Sequence, residues 1–172
     1  FNHVSRNHPA VQTALDETAG RLNPADNPWH GLVRAHVGDN GEPALDVFEG
    51  HGDLVALDHS ADETVDYVVH VMSHWLDRGA AGWRLDAAYA VPSPFWARVL
   101  PQVKAAHPYS WIFGEVIHGD YPRIIEESTM DSITQYELWK SIQHALETEN
   151  FFELDWNLKR HNAFLDSFVP VS

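Results

Sequence analysis

The chain contains two short stretches in which a carboxylate follows an apolar run: Gly82-Trp83-Arg84-Leu85-Asp86-Ala87-Ala88 and, roughly one βαβ unit later, Gly114-Glu115-Val116. A helical pattern separates the two runs, so we expect Asp86 and Glu115 at the C-terminal ends of neighbouring parallel strands. Barrels built from alternating strands and helices have their active sites at that edge of the sheet. Retaining glycoside hydrolysis requires two carboxyl groups that face one cleft, and two carboxylates on adjacent strands can meet that requirement.

Composition narrows the class of protein and the partners it can have. A length of 172 residues allows one domain with a sizeable core, and 44% hydrophobic residues indicate a globular protein. The net charge of −14 argues against a nucleic-acid partner, because no basic patch exists to meet phosphates. No apolar run approaches the roughly 20 residues that a membrane helix needs, so no membrane partner is expected. The absence of cysteine excludes disulfides and thiolate chemistry and leaves the compartment undecided.

The first third of the chain is predicted to be a helix followed by an irregular excursion. The helix is expected over residues 9–19, and turn signals such as Asn23-Pro24 and Asp39-Asn40-Gly41 interrupt residues 20–52. At most short strands are expected in this excursion, and loops of such length are usually functional. The units we distinguish are residues 1–19, an irregular loop domain over residues 20–59, and a series of strand–helix units over residues 60–172.

From Ser60 onward the hydrophobic pattern alternates between helices and strands, which is typical of an α/β sheet. Ser60 is predicted to open a capping box for a helix that ends at Arg78-Gly79. Ser93-Pro94 is predicted to cap the next helix, and Pro101 to kink or split it. Further helices are predicted at residues 121–127, 138–146 and 152–168. The predicted strands are residues 83–87, 111–113 and 132–136, with a fourth from Pro170.

Together, the two carboxylate stretches resemble motifs of the α-amylase family of glycoside hydrolases, and three other segments agree in chain order. Phe1-Asn2-His3 is similar to the end of the family's first motif, which follows the third barrel strand. Residues 52–59 are similar to the return from the family's loop domain, and residues 79–82 to the usual lead-in to the next strand. The resemblance therefore covers the whole chain.

The resemblance implies an α/β fold that is part of a (β/α)8 TIM barrel: roughly strands 4–6 with their helices, plus the loop domain after strand 3. The family's third carboxylate belongs to a motif at the next strand, and the sequence ends at Phe168-Val169-Pro170-Val171-Ser172, where that motif should begin. We therefore interpret the chain as an internal piece of a longer glycosidase and expect it to be inactive alone. Its unpaired sheet edges are expected to allow self-association.

For the two carboxylates the resemblance implies distinct roles. Asp86 would be the nucleophile that attacks the anomeric carbon, and Glu115 the general acid and then the general base. Arg84, two residues earlier on the same strand face, is placed to hold Asp86, and its charge would lower the pKa of that carboxyl. The alternatives are a purely structural Arg84–Asp86 ion pair at a strand end and a solvated loop carboxylate at Glu115.

Two histidines and one asparagine complete the candidate site. The resemblance implies that His3 hydrogen-bonds a hydroxyl of the sugar being cleaved, although a surface histidine is the alternative. His118 is expected to line the leaving-group side of the cleft or to have a structural role. Asn2 matches a residue that ligates calcium in calcium-dependent members, but one ligand is no site. No other metal or cofactor is expected, because the histidines lack metal-ligand spacing.

One departure from the family pattern bears on the substrate. Many amylases place Lys-His after the nucleophile motif, whereas Tyr89-Ala90 stand there in this chain. The difference favours an oligosaccharide-acting or transferring relative over an enzyme for long starch chains. The parent protein is therefore expected to cleave or transfer α-glucosidic bonds of oligosaccharides or starch-like glucans, with retention.

Two other classes of function remain open at this point. The first is a catalytically silent amylase-like module that binds carbohydrate or another protein. The second is a barrel enzyme that uses Asp86 and Glu115 for proton transfer or metal binding. Covalent attachment of a glycoside-reactive label to Asp86 would distinguish the glycosidase from both.

Overall fold

A computed structural model describes residues 1–166, and its centre is a parallel sheet of three strands with helices packed against it. The strands are β1 (His3–Ser5), β2 (Ala35–Val37), β3 (Pro43–Leu45), β4 (Leu54–Ala56), β5 (Gly82–Leu85), β6 (Trp111–Gly114) and β7 (Ser132–Ile133). The helices are α1 (Pro9–Thr18), α2 (Asp62–Asp77), α3 (Ser93–Ala106), α4 (Tyr121–Ser128), α5 (Tyr136–Thr148) and α6 (Phe152–Asp166). The fourth strand expected from Pro170, and the end of the last helix, lie outside the described residues.

The three parallel strands β5, β6 and β7 lie side by side in chain order. Leu85 pairs with Gly114, and Gly114 pairs with Ile133. Because parallel strands end at the same edge of the sheet, the residues that follow each strand are neighbours. This confirms the expected placement of Asp86 and Glu115 at the ends of adjacent strands.

The third strand is shorter than predicted. The sequence pattern indicates a strand over residues 132–136, but β7 ends at Ile133 and Tyr136 is the first residue of α5. The hydroxyl of Thr134 accepts from the Val116 N–H and donates to the Val116 carbonyl, both at 2.9 Å. The Thr134 side chain therefore occupies the Val116 N–H and carbonyl, and the backbone hydrogen bonding between β6 and β7 ends before this point.

The capping box predicted at Ser60 is wrong. The N-cap of α2 is Ala61, which makes no side-chain capping bond, because the Ser60 hydroxyl donates to Asp58 at 2.6 Å instead. Ser93 is likewise the first residue of α3 and not its cap.

Pro101 does not split α3, which runs unbroken from Ser93 to Ala106. A proline inside a helix costs about 3 kcal/mol. The apolar face of α3 offsets that cost, because five of its side chains are at most 2% exposed. These side chains are Phe95, Trp96, Val99, Leu100 and Val103.

Two hydrophobic clusters form the core. The larger lies between the parallel sheet and helices α2, α3 and α4. The smaller lies beneath α1 and the antiparallel strands, where Ala10, Val55 and Leu57 are almost fully buried. The ring of Tyr67 on α2 packs against both clusters. The side chain of Trp75 on α2 is 53% exposed.

The irregular excursion returns close to where it starts. Strand β1 pairs antiparallel with β4, so residues 3–5 lie beside residues 54–56. Between them, β2 and β3 form a short antiparallel pair. Short strands in this segment are thus confirmed, whereas the boundaries at residues 19 and 59 stay a prediction. Within residues 1–166 no helix has the length and apolar character needed to cross a membrane.

A side chain at Gly82 would clash with the backbone of the neighbouring strand. A Cβ atom at Gly82 would lie 1.9 Å from the Trp111 carbonyl oxygen on the neighbouring strand. We expect Gly82→Ala to lower the free energy of unfolding by roughly 1–3 kcal/mol, because β5 must move away from β6. Chemical denaturation followed by circular dichroism measures this change.

Gly52→Ala is the matched control, because a Cβ there meets nothing within 4 Å. The control is expected to unfold at the same denaturant concentration as the wild type or a higher one. Equal stability of Gly82→Ala and wild type would contradict the close approach of β5 and β6.

Candidate active site

Asp86 follows β5 directly and extends into solvent beside Arg84. The Arg84 Nη1 donates to Asp86 Oδ1 at 2.7 Å, and the Asp86 side chain is 65% exposed. Residues two apart on a strand lie on the same face, which explains why the two side chains meet. The hydrogen bond and charge of Arg84 lower the pKa of the Asp86 carboxyl, as expected from the sequence. Asp86 is therefore an exposed, ionised carboxylate with a fixed orientation.

Glu115 follows β6 and is more enclosed than Asp86. Its side chain is 16% exposed and has three hydrogen-bond donors around it. Arg84 Nη2 lies 2.8 Å from Oε1, the Tyr136 hydroxyl donates to Oε1 at 2.8 Å, and the Ala87 N–H donates to Oε2 at 3.0 Å. The direct contacts of the Glu115 carboxylate are therefore polar.

One guanidinium group links the two carboxylates. Arg84 reaches Asp86 through Nη1 and Glu115 through Nη2. The two carboxyl groups therefore lie on the same side of the sheet and face a common space. Both carboxylates lie within hydrogen-bond distance of the Arg84 guanidinium, at 2.7 and 2.8 Å. In retaining glycosidases the two carboxyl groups are about 5–5.5 Å apart.

The backbone between the two motifs is held in an unusual conformation. Ala87 has a φ of +47°, in the left-handed region that non-glycine residues rarely occupy. This conformation accompanies the hydrogen bond from the Ala87 N–H to Glu115 Oε2. Strained residues of this kind cluster at functional sites.

His3, the first residue of β1, is the candidate site residue that the start of the chain contributes. Its ring stacks on Phe48 with centroids 5.1 Å apart, and its Nδ1 has no hydrogen-bond partner among the described residues. Burial lowers the pKa of His3, while the charge of Asp86 acts in the opposite direction. The Asp86 carboxylate is therefore one of the charges that act on the His3 imidazole.

His118 is exposed and lies beside Tyr89, the residue that departs from the family pattern. Their ring centroids are 6.5 Å apart, and the Tyr89 N–H donates to the Glu115 carbonyl at 3.2 Å. The Tyr89 hydroxyl donates to Glu49 at 2.9 Å. Glu49 belongs to the excursion, so this segment reaches the candidate site and contacts it.

Sequence reasoning missed Glu49 and Tyr136. Tyr136 follows the third parallel strand, so the rule that located Asp86 and Glu115 could have located it as well. Nothing in the sequence pattern marks Glu49, because its partner Tyr89 lies 40 positions later in the chain.

Asn2 is the residue that the resemblance offers as a calcium ligand. Asn2 is buried, and its Nδ2 has no hydrogen-bond partner among the described residues. Within residues 1–166, no group of three or more His, Cys, Asp or Glu side chains is placed to hold a metal ion. Calcium takes six to eight oxygen ligands, and the Asn2 side chain supplies at most one of them.

Known proteins resemble this chain in sequence and in fold. No family model matches the chain. A cyclomaltodextrinase from Bacillus sp is 28% identical over 137 residues, which cover 79% of this chain and 24% of the relative. A maltogenic alpha-amylase from Bacillus acidopullulyticus is 26% identical over 143 residues, covering 83% and 24% respectively. The chain is similar to enzymes of the α-amylase family.

Solved structures of the α-amylase family match in fold. The cyclic alpha-maltosyl-(1→6)-maltose hydrolase from Arthrobacter globiformis superposes with a TM-score of 0.66 at 21% identity, covering 82% of this chain and 31% of that one. These neighbours are (β/α)8 enzymes, and the α/β fold described above corresponds to part of them. The chain spans about a quarter of the length of the curated α-amylase-family relatives it matches.

Proposed function

We propose that these residues form the central part of a retaining glycosidase or glucanotransferase that acts on α-glucosidic bonds of oligosaccharides or starch-like glucans. The observation that carries the proposal is the guanidinium of Arg84, which contacts both Asp86 and Glu115. In this assignment β5, β6 and β7 are strands 4–6 of a (β/α)8 barrel. The excursion over residues 20–59 is then the loop domain after strand 3.

The first step forms a glycosyl–enzyme intermediate. The Asp86 carboxylate attacks the anomeric carbon, and the bond between that carbon and the glycosidic oxygen breaks. The leaving oxygen takes the proton of the Glu115 carboxyl, which becomes a carboxylate. Arg84 keeps Asp86 ionised and oriented for this attack.

The second step releases the sugar with retained configuration. Glu115, now a carboxylate, takes a proton from a water molecule whose oxygen bonds to the anomeric carbon as the bond to Asp86 breaks. Glu115 regains its proton, so the site returns to its starting state. A sugar hydroxyl that takes the place of water makes the same step a transfer reaction.

We assign substrate contacts to the two histidines near these carboxylates. His3 would hydrogen-bond the sugar at the cleavage point, in keeping with its position near Asp86. His118 and Tyr89 would line the leaving-group side, where the aromatic ring of Tyr89 suits the C–H face of a sugar. These assignments agree with a preference for short α-glucans.

A mechanism-based α-glucoside label tests the proposed function directly. A fluorinated glucosyl fluoride that traps the intermediate is expected to add one glycosyl group to the peptide that contains Asp86, as read by mass spectrometry of the full-length protein. Attachment to another residue would contradict the role of Asp86. Absence of both labelling and turnover would favour a silent carbohydrate-binding module.

Arg84→Gln is expected to move the acid limb of the pH profile of kcat/KM to higher pH. Arg84 lowers the pKa of Asp86, so its loss lets that pKa rise, and the nucleophile is then protonated at a higher pH. The maximum rate should also fall by roughly 10²-fold, because an oriented donor is lost.

Arg123→Gln is the matched control for this change. Arg123 also pairs with a carboxylate, but on the exposed surface of α4. An acid limb that stays in place in Arg84→Gln, or that moves to lower pH, would contradict the influence of Arg84 on Asp86.

A further inference from the structure

Tyr136, which follows the third parallel strand β7, places a hydroxyl group in the candidate site. It is the first residue of α5, and its hydroxyl donates to Glu115 Oε1 at 2.8 Å. Its ring meets Trp139 edge-on, with centroids 6.1 Å apart. The hydrogen bond and charge of Glu115 raise the pKa of Tyr136, so the phenol keeps its proton.

The three partners of Glu115 differ in how they respond when the carboxyl gains a proton. The guanidinium of Arg84 and the Ala87 N–H can only donate hydrogen bonds. A tyrosine hydroxyl can donate or accept. Tyr136 is therefore the one partner among these three that can accept a hydrogen bond from Oε1 when that oxygen carries the proton.

We propose that Tyr136 is a positioning residue that holds Glu115 in both protonation states required of a general acid and base. When Glu115 is ionised, the Tyr136 O–H donates to Oε1. When Glu115 is protonated on Oε1, that O–H donates to the Tyr136 oxygen, and the phenol O–H turns away. The acid O–H then swings from the Tyr136 oxygen to the leaving oxygen as it gives up the proton. Tyr136 never loses its own proton: the proton given to the leaving oxygen comes from Glu115, and the proton regained comes from water or the acceptor hydroxyl. This inference rests on the proposed function.

Tyr136→Phe in the full-length protein tests the inference, because it removes one oxygen and keeps the ring. For maltooligosaccharides, whose leaving group needs protonation, kcat/KM is expected to fall about tenfold or more. For α-glucosyl fluoride, whose leaving group needs little protonation, kcat/KM is expected to stay within about twofold of wild type. A merely structural role would lower both values together, so the ratio between them reports on Glu115.

Two further variants sharpen the test. Tyr109→Phe is the matched control, since Tyr109 is 98% exposed, and it should leave both values unchanged. In a Glu115→Gln background the Tyr136→Phe change should cause no further loss in the ratio, because the group it positions is already disabled.

The outcomes distinguish the role of Tyr136 from the proposed function. Equal losses on both substrates, or no loss on either, would overturn the role of Tyr136 while leaving the proposed function intact. A further loss in the Glu115→Gln background would do the same. A wild-type protein that turns over neither substrate would overturn the proposed function and this inference with it.

Discussion

Asp86→Asn is expected to lower turnover of α-glucosides on the order of 10⁴-fold, because the amide cannot serve as the nucleophile. The fold should be unaffected, since the side chain is 65% exposed and contacts Arg84 alone among the hydrogen bonds described for it. An asparagine oxygen can still accept from Arg84. Steady-state kinetics on maltooligosaccharides, with thermal unfolding of the same protein, measure both effects.

Asp155→Asn is the matched control for the nucleophile. Asp155 has nearly the same exposure, at 63%, and pairs with Lys159 at 2.6 Å. Neutralising an exposed carboxylate in an ion pair should therefore leave turnover unchanged at Asp155. Near-normal turnover in Asp86→Asn would show that another residue forms the glycosyl intermediate.

Glu115→Gln is expected to lower kcat/KM on maltooligosaccharides by roughly 10²–10⁴-fold, the usual contribution of a general acid. On α-glucosyl fluoride the loss should be much smaller. The variant should also be less stable by roughly 1–3 kcal/mol. Both Glu115 oxygens accept hydrogen bonds, whereas the glutamine NH2 would face one of the donors.

Glu127→Gln controls for the loss of a paired glutamate. Glu127 is 42% exposed and pairs with Arg123, so its amide can turn toward water. We expect wild-type kinetics and stability from this control. If Glu115→Gln lost activity equally on both substrates, the acid–base role would have to be assigned elsewhere.

The strand and helix order could be predicted from the sequence, but several helix boundaries could not. Apolar runs and turn signals are local, so they located β5, β6 and α2 within a few residues. The capping box at Ser60 failed because Asp58 competes for the same hydroxyl at 2.6 Å. The strand before Tyr136 was too long in the prediction because Thr134 binds Val116, which lies 18 positions earlier in the chain.

The sequence alone specifies where the two carboxylates lie, because each directly follows an apolar run and parallel strands end at one edge of a sheet. It also determined that Arg84 meets Asp86, since residues two apart share a strand face. The contacts of Arg84 and Tyr136 with Glu115 appear only in the folded chain. The Tyr136 contact joins residues 21 positions apart. Such a contact depends on how β5, β6 and β7 align, and no local pattern encodes that alignment.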